Sequence, residues 1–202
     1  MVSNTEMIKG FDNPEYASQQ VFRQVMNAMA RPGTVVDLPD VDTVGSLHTA
    51  SMALCLSFFD YETTVWLSDG LKKNELFNQT LQFHCGCSIT ENPSTAGFAL
   101  IGDLMDLPSL SVFSPGNEEY PDRSTSVVIQ VDYLSHMGGV RLQGPGVKGD
   151  VRLDAPVFTI DFLQQWNENH QIFPLGVDVY LACGRQVAVL PRTVMLGDVR
   201  CM

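Results

Sequence analysis

Four arginines stand where a planar guanidinium could grip a carboxylate or phosphate through paired hydrogen bonds. Arg31 lies in an Arg-Pro-Gly turn, Arg123 in a Pro-Asp-Arg-Ser segment, Arg141 in a run of strand character, and Arg192 between Pro191 and Thr193. They are the candidate anion contacts. The chain carries 12 Lys+Arg against 23 Asp+Glu, so the competing fate of each arginine is an internal ion pair. Asp178, at the end of Phe173-Pro174-Leu175-Gly176-Val177-Asp178, will itself need a partner if folding buries it.

Other chemistry-bearing groups are weaker. His84-Cys85-Gly86-Cys87 sets an imidazole beside two thiols, but structural zinc sites space paired cysteines more widely and need a second pair, which Cys55, Cys183 and Cys201 do not supply. The segment reads instead as two small thiols after a helix end, with His84 capping the last carbonyls. Gly144-Pro145-Gly146-Val147-Lys148-Gly149 matches a dinucleotide-binding pattern by letter. Such a site needs a helix opening at the motif, whereas residues 150–156 read as extended chain running into Pro156, so a tight turn or a close backbone approach is the better reading. A Schiff-base enzyme needs a lysine desolvated in a pocket; of Lys9, Lys72, Lys73 and Lys148, only Lys148 lies in a suitable loop. No P-loop, no Gly-x-Ser-x-Gly elbow and no His-Glu-x-x-His occurs. No catalytic residue, cofactor or metal is assigned.

The elements that must position these residues follow from composition and periodicity. At 202 residues the chain fits one domain of ordinary size, about 150 residues, spanning 1–202. Its 45% hydrophobic content and mean hydropathy of +0.03 suffice for a packed core. The net charge of −11 repels phosphate backbones and anionic lipid, which argues against nucleic acid and membrane as partners. Residues 44–59, the most apolar stretch, fall short of the roughly 20 residues a bilayer span requires, and the first sixteen residues hold acids and no apolar run, unlike a signal or transit peptide. Five cysteines without framework spacing fit free thiols in a reducing compartment, so the cytoplasm is expected.

Phe22, Val25, Met26 and Met29 recur at helical spacing and predict a helix over 14–30, with Pro14 in its first turn. Helices are also expected over 45–59, apolar around most of its circumference and so central, over 71–83, and over 157–166 with Asp154 as cap. Strands are expected at 35–36, 63–67, 96–101, 126–131 and 140–143, and a hairpin joins 177–182 to 186–190. Residues 102–125, rich in proline, read as irregular loop. The class is α/β, a mixed sheet flanked by helices.

Taken in order, the punctuated segments resemble the PhnH family, the H subunit of the bacterial carbon–phosphorus lyase core complex. The matching stretches are Phe22-Arg23 through Met29-Ala30-Arg31-Pro32-Gly33, Thr64-Val65-Trp66-Leu67, Leu81-Gln82-Phe83-His84, Pro121-Asp122-Arg123-Ser124, Leu142-Gln143-Gly144-Pro145-Gly146, the Phe173 to Asp178 segment, and Pro191-Arg192-Thr193. Val147 stands where an isoleucine is common, a swap that keeps shape and polarity. The resemblance implies a fold akin to a reduced large domain of pyridoxal-phosphate-dependent transferases without the cofactor lysine. It implies a homodimer when alone and, in the cell, an assembly with the G, I and J subunits. In that pathway the G, H, I and L proteins support a step in which an alkylphosphonate displaces adenine from ATP; the I subunit carries that chemistry, and J, an iron–sulfur radical enzyme, later cuts the C–P bond. It supplies no catalytic residue to carry over. An accessory, non-catalytic subunit is therefore expected. The alternative is a freestanding phosphonate- or nucleotide-binding protein or enzyme with an arginine-lined pocket.

Overall fold

Asn13 starts the first helix: its side-chain oxygen accepts from the Tyr16 amide at 3.3 Å, and Pro14 occupies the first turn, where its missing N–H costs nothing. Helix α1, Pro14–Ala30, buries Ala17, Val21, Val25 and Ala28. Phe22 lies outside this stripe and is 52% exposed, meeting Phe58 at its margin with ring centroids 6.2 Å apart. The true inward face is thus shifted from the one built on Phe22, because small residues let the helix sit close to its neighbours. The computed structural model describes residues 8–197; Cys201 lies outside them.

Strand β1 is Val35–Asp37, helix α2 Thr49–Phe58, strand β2 Thr64–Leu67, helix α3 Asp69–Lys72 and helix α4 Glu75–His84. Helix α2 buries every residue from Ala50 to Cys55, as a helix apolar all round should. It begins at Thr49 and not at 45, since residues 44–47 form a turn closed by the Leu47 amide on the Val44 carbonyl at 3.0 Å. The single helix expected over 71–83 is two, because the Asn74 side chain accepts from the Phe77 amide at 3.1 Å and caps α4 afresh.

Strands β3 (Ser88–Ile89), β4 (Phe98–Ile101), β5 (Ser126–Gln130), β6 (Ser135–Gln143) and β7 (Val151–Asp154) follow, then helix α5 (Ile160–Gln171) and strands β8 (Asp178–Cys183), β9 (Gln186–Leu190) and β10 (Met195–Leu196). Asp154 lies in β7 and does not cap α5. Thr159 does so, accepting from the Phe162 amide at 3.2 Å, because a turn over 155–159 separates strand from helix.

Seven strands form one sheet in the order β1-β9-β8-β5-β4-β2-β3, and β10-β6-β7 form a second, antiparallel one. In the large sheet β3, β2, β4, β5 and β8 run parallel, β9 runs against them, and β1, antiparallel to β9, returns to their direction. Side chains alternate across it. Val128, Tyr180 and Val189 join α1, α2 and α4 in one core, whereas Val127, Ile129 and Val179 join α5 and the small sheet in the other. The mixed α/β architecture is as expected. The 102–125 segment is irregular but tied down: Leu110 and Phe113 are buried, and the Gln165 side chain of α5 accepts from the Leu110 amide at 2.8 Å.

Candidate functional site

From β2 the chain passes to β3 on one side and then returns to β4 on the other. The carboxyl ends of β2 and β4 therefore diverge at a topological switch point, where open α/β sheets bind ligands. A cavity of about 470 Å³ opens there, lined by Ser68 after β2, Gly102 and Asp103 after β4, Gln130 and Asp132 at the end of β5, and His48 ahead of α2. Gln130 builds the floor. Though buried, it spends its donors on the Gly102 carbonyl at 3.0 Å and the Ser46 carbonyl at 3.3 Å, and accepts from the His48 amide at 2.6 Å. The His48 ring donates from Nδ1 to the Ala182 carbonyl at 3.1 Å, which leaves Nε2 as acceptor in the neutral ring. That bond orients the ring, and among the described residues no hydroxyl or thiol is bonded to Nε2. Asp103, Asp106 and Asp132 line the cleft with no lysine or arginine among them. An anion is electrostatically disfavoured here, and no amine is available for a Schiff base.

The four candidate arginines do not meet in one place. Arg192 forms a largely buried ion pair with Asp178, Nη2 to Oδ2 at 2.6 Å, and its own amide donates to Oδ1 at 2.7 Å. The rest of its guanidinium donates to the Pro121 carbonyl at 2.9 Å and to the Ser124 hydroxyl. Three of the punctuated segments thus converge on one structural network, and Asp178 has the partner its burial demands. The turn before it is held by buried Asn169, which accepts from the Val177 amide at 2.8 Å and donates to the Val177 carbonyl at 3.0 Å. Arg123 is exposed, stacks 4.1 Å over the Tyr120 ring, and lines a separate, hydroxyl-rich cavity at the amino ends of β4 and β5.

Arg31 and Arg141 do not line the same opening. Arg31, the C-cap of α1, borders a cavity of about 440 Å³ together with His136, Lys148, Asp150 and Arg152. Arg141 and Arg152 are directly opposed across the β6–β7 ladder, a like-charge pairing that costs energy unless something intervenes. Asp150 does: its carboxylate lies 3.0 Å from Arg141 Nε and 3.8 Å from Arg152 Nε. Sequence reasoning missed Arg152. The signal was available once 140–143 and 151–154 were seen as the two arms of one hairpin.

The glycine-rich loop explains how these groups come together. Gly146 has φ +81°, and a Cβ there would lie 2.2 Å from the Ala30 carbonyl oxygen; one on Gly33 would lie 2.3 Å from Val151. Both glycines serve the interlock of the Arg-Pro-Gly turn with the Gly-Pro-Gly loop. The loop's close approach is to this chain's own backbone, and β7, not a helix, follows it.

The thiols are insulated. Burial pushes the Cys55 thiol well above its ordinary range, with Cys85 and Cys87 adding repulsion, and pushes Cys85 up to about 12. Cys87 and Cys183 are also raised, chiefly by burial. Since the thiolate is the nucleophile, burial works against the reactivity of each of these four described thiols. His84 does not cap its own helix. Its Nε2 donates to the Ile8 carbonyl at 2.8 Å and ties α4 to the start of the described chain. Among the described residues no group of three or more His, Cys, Asp or Glu side chains could hold a metal, and no helix is long and apolar enough to cross a membrane.

Fold and clefts together define an α/β protein with a ligand-type crevice at its switch point but no assembled catalytic dyad there. The chain belongs to the PhnH family: the model for the bacterial phosphonate metabolism protein PhnH matches residues 9–196. It is 34% identical over 200 residues to the α-D-ribose 1-methylphosphonate 5-triphosphate synthase subunit PhnH of Rhizobium meliloti, covering 97% of this chain and 98% of that one. It is also 31% identical over 178 residues, 87% of this chain and 83% of the relative, to a Stutzerimonas stutzeri protein named as a C-P lyase subunit, HtxG.

Proposed function

We propose that this chain is an accessory, non-catalytic subunit of a carbon–phosphorus lyase assembly in organophosphonate catabolism. It supports, with G, I and L subunits, the step in which a phosphonate oxygen bonds to the ribose C1′ of ATP while the C1′–N9 bond breaks and adenine departs. The products are adenine and the ribose 1-alkylphosphonate 5-triphosphate. Its partners in the assembly are G, I and J subunits, it is a homodimer when alone, and it works in the cytoplasm. The likeness of its sheet to a reduced pyridoxal-phosphate-dependent transferase domain belongs to the same reading.

The observation that carries this proposal is near full-length similarity to a protein named as a subunit of the triphosphate synthase. The geometry supports it from the other side. Arg192 is spent on Asp178, and burial raises the Cys55 and Cys85 thiols above their ordinary range. The test is co-expression with the G, I and J proteins of the same genome, followed by size-exclusion chromatography with light scattering. Co-elution at fixed stoichiometry is expected, while the isolated chain releases no adenine from ATP and methylphosphonate. Elution apart from an assembled G–I–J complex, or turnover by the chain alone, overturns the reading and favours the freestanding ligand-binding alternative.

A further inference from the structure

We propose that the cavity between the Arg-Pro-Gly turn and the β6–β7 hairpin is a binding site for a small molecule bearing a chain of phosphoryl groups. Arg31, Lys148 and Arg152 supply the charge and His136 borders the same space. The site is independent of the subunit reading, since the isolated chain holds all of it.

Charge accounting carries the inference. The protein has a net charge of −11, yet this one cavity gathers Arg31, Lys148 and Arg152. Among the described residues neither Arg31 nor Lys148 has a carboxylate within ion-pair distance. Among the described residues the one acid on the cavity wall, Asp150, is held closer to Arg141 at 3.0 Å than to Arg152 at 3.8 Å. One carboxylate is thus shared by two arginines, so Arg152 is only partly compensated and stands with Arg31 and Lys148 as a surplus of positive charge around one opening. Uncompensated like charges repel, and a fold with 23 carboxylates gives Arg31 only the neutral Asn27 side chain as a hydrogen-bond partner while pairing Arg192 fully elsewhere. The acids on the remainder of the surface do not undo this, because beyond about 10 Å their field is screened at 0.1 M salt.

The walls are also built in advance. Gly33 and Gly146 allow the two loops to interlock closer than any other residue permits. This fixes the backbone from which Arg31 projects on one wall and Lys148 on the other without help from a ligand. His136 Nδ1 lies 3.2 Å from the Arg152 carbonyl, so that nitrogen donates and the ring is oriented, which ties it to the strand that carries Arg152. The volume of about 440 Å³ lies within the usual range for small-molecule sites, about 300–1,000 Å³. Three cations on separate segments suit an anion whose charge is spread over several phosphoryl groups better than a single carboxylate, which one arginine would satisfy. The acidic switch-point cleft, by contrast, disfavours that anion, so the two openings divide ligands by charge.

The test is calorimetric titration of the isolated chain with inorganic tripolyphosphate, pyrophosphate and orthophosphate at low salt. One saturable site is expected, tightest for tripolyphosphate and weakening steadily as sodium chloride is added. Lys148→Gln and Arg31→Gln, both at exposed positions, each weaken it by about tenfold, the effect of losing one charge-assisted contact. Lys73→Gln removes the same charge from the exposed end of α3, away from the cavity, and leaves affinity unchanged. Circular dichroism and urea midpoints confirm that all three variants fold. Absence of saturable heat with every probe overturns the site, and so does equal weakening by Lys73→Gln, which reduces the effect to net charge.

Discussion

Two clusters of the same residue type have opposite fates. Around Asp178, Arg192 is largely buried and saturated: carboxylate, backbone carbonyl and hydroxyl take its donors from β8, the 121–124 turn and the chain after β9. Around the Gly-Pro-Gly loop, Arg31 and Lys148 are exposed and have no carboxylate partner among the described residues, with Arg152 beside them. The lesson is that an arginine in a distinctive motif declares its role through what it touches. Burial with a full set of acceptors marks scaffold, and cations left unpaired around an opening mark a surface awaiting an anion.

The largest effect should come from breaking the scaffold cluster. Asp178→Ala leaves the Arg192 guanidinium and amide without their acceptor in a mostly desolvated site. Removing one member of a buried pair costs about 3 kcal/mol, and the pair's residual exposure of 12% and 17% screens only a little of it. In a chain of this size that lowers Tm by roughly 6–12 °C, measurable by calorimetric scan. Lys148→Gln should leave Tm within about 1 °C, as surface changes do. Equal losses would break the distinction between the clusters.

Asn169→Ala comes next. It strips both partners from Val177, whose amide and carbonyl are buried, and each unsatisfied buried group costs on the order of 1–3 kcal/mol. A loss of about 2 kcal/mol is expected in urea unfolding. Affinity for tripolyphosphate should not change, because the turn before β8 does not border the basic cavity.

Alkaline pH separates the regions in another way. Tyr180, neighbour to Asp178 and Arg192, is pushed up to about 12, first by burial, against which the Ser126 hydrogen bond works. The neutral phenol is favoured in the folded state, so the unfolded chain loses its proton first, near pH 10. The stabilisation is complete below that value and declines as pH rises from about 10 towards 12. Cys85, raised to about 12 from an ordinary value of 9.0, acts with the same sign and begins earlier. Urea midpoints should therefore fall above pH 9. Tyr180→Phe should flatten the part of the decline that lies above pH 10, and an unchanged slope would show that the phenol is not confined as the structure places it.

Much of this was legible in the sequence where local chemistry decides the outcome. Pro14 and the helical spacing that follows it announce α1, the apolar run within 126–131 announces a strand, and the demand of Asp178 for a partner could be stated before the partner was known. What escaped was long-range. The Arg-Pro-Gly turn and the Gly-Pro-Gly loop lie more than a hundred residues apart, and only the close backbone approach at Gly146 brings them together. Arg152 looked like an ordinary strand residue until its pairing opposite Arg141 put two cations side by side. The acidic cleft was equally hidden, since Asp103 and Asp132 meet only because β4 and β5 are adjacent. Where Arg31 would stand was clear, but its company was not.

The smallest expected effect is the sharpest test of how the basic cluster is balanced. Asp150 is shared, nearer to Arg141 than to Arg152, so Arg141→Gln releases its carboxylate to neutralise Arg152. The substitution also relieves the like-charge opposition across the ladder. These changes nearly cancel in stability, leaving a shift under about 0.5 kcal/mol, as for other exposed pairs. Binding does not cancel: one cation disappears from the neighbourhood and another becomes paired, so tripolyphosphate affinity should fall by a factor of about three, a difference near 0.7 kcal/mol. Asp150→Asn should move it the other way, because it leaves Arg141 and Arg152 both uncompensated. If both substitutions weaken binding, Asp150 is holding the arginines in place for the ligand. If they move affinity in opposite directions, it is acting through charge, and the cluster is held below its full potential by the same carboxylate that lets two opposed arginines share a hairpin.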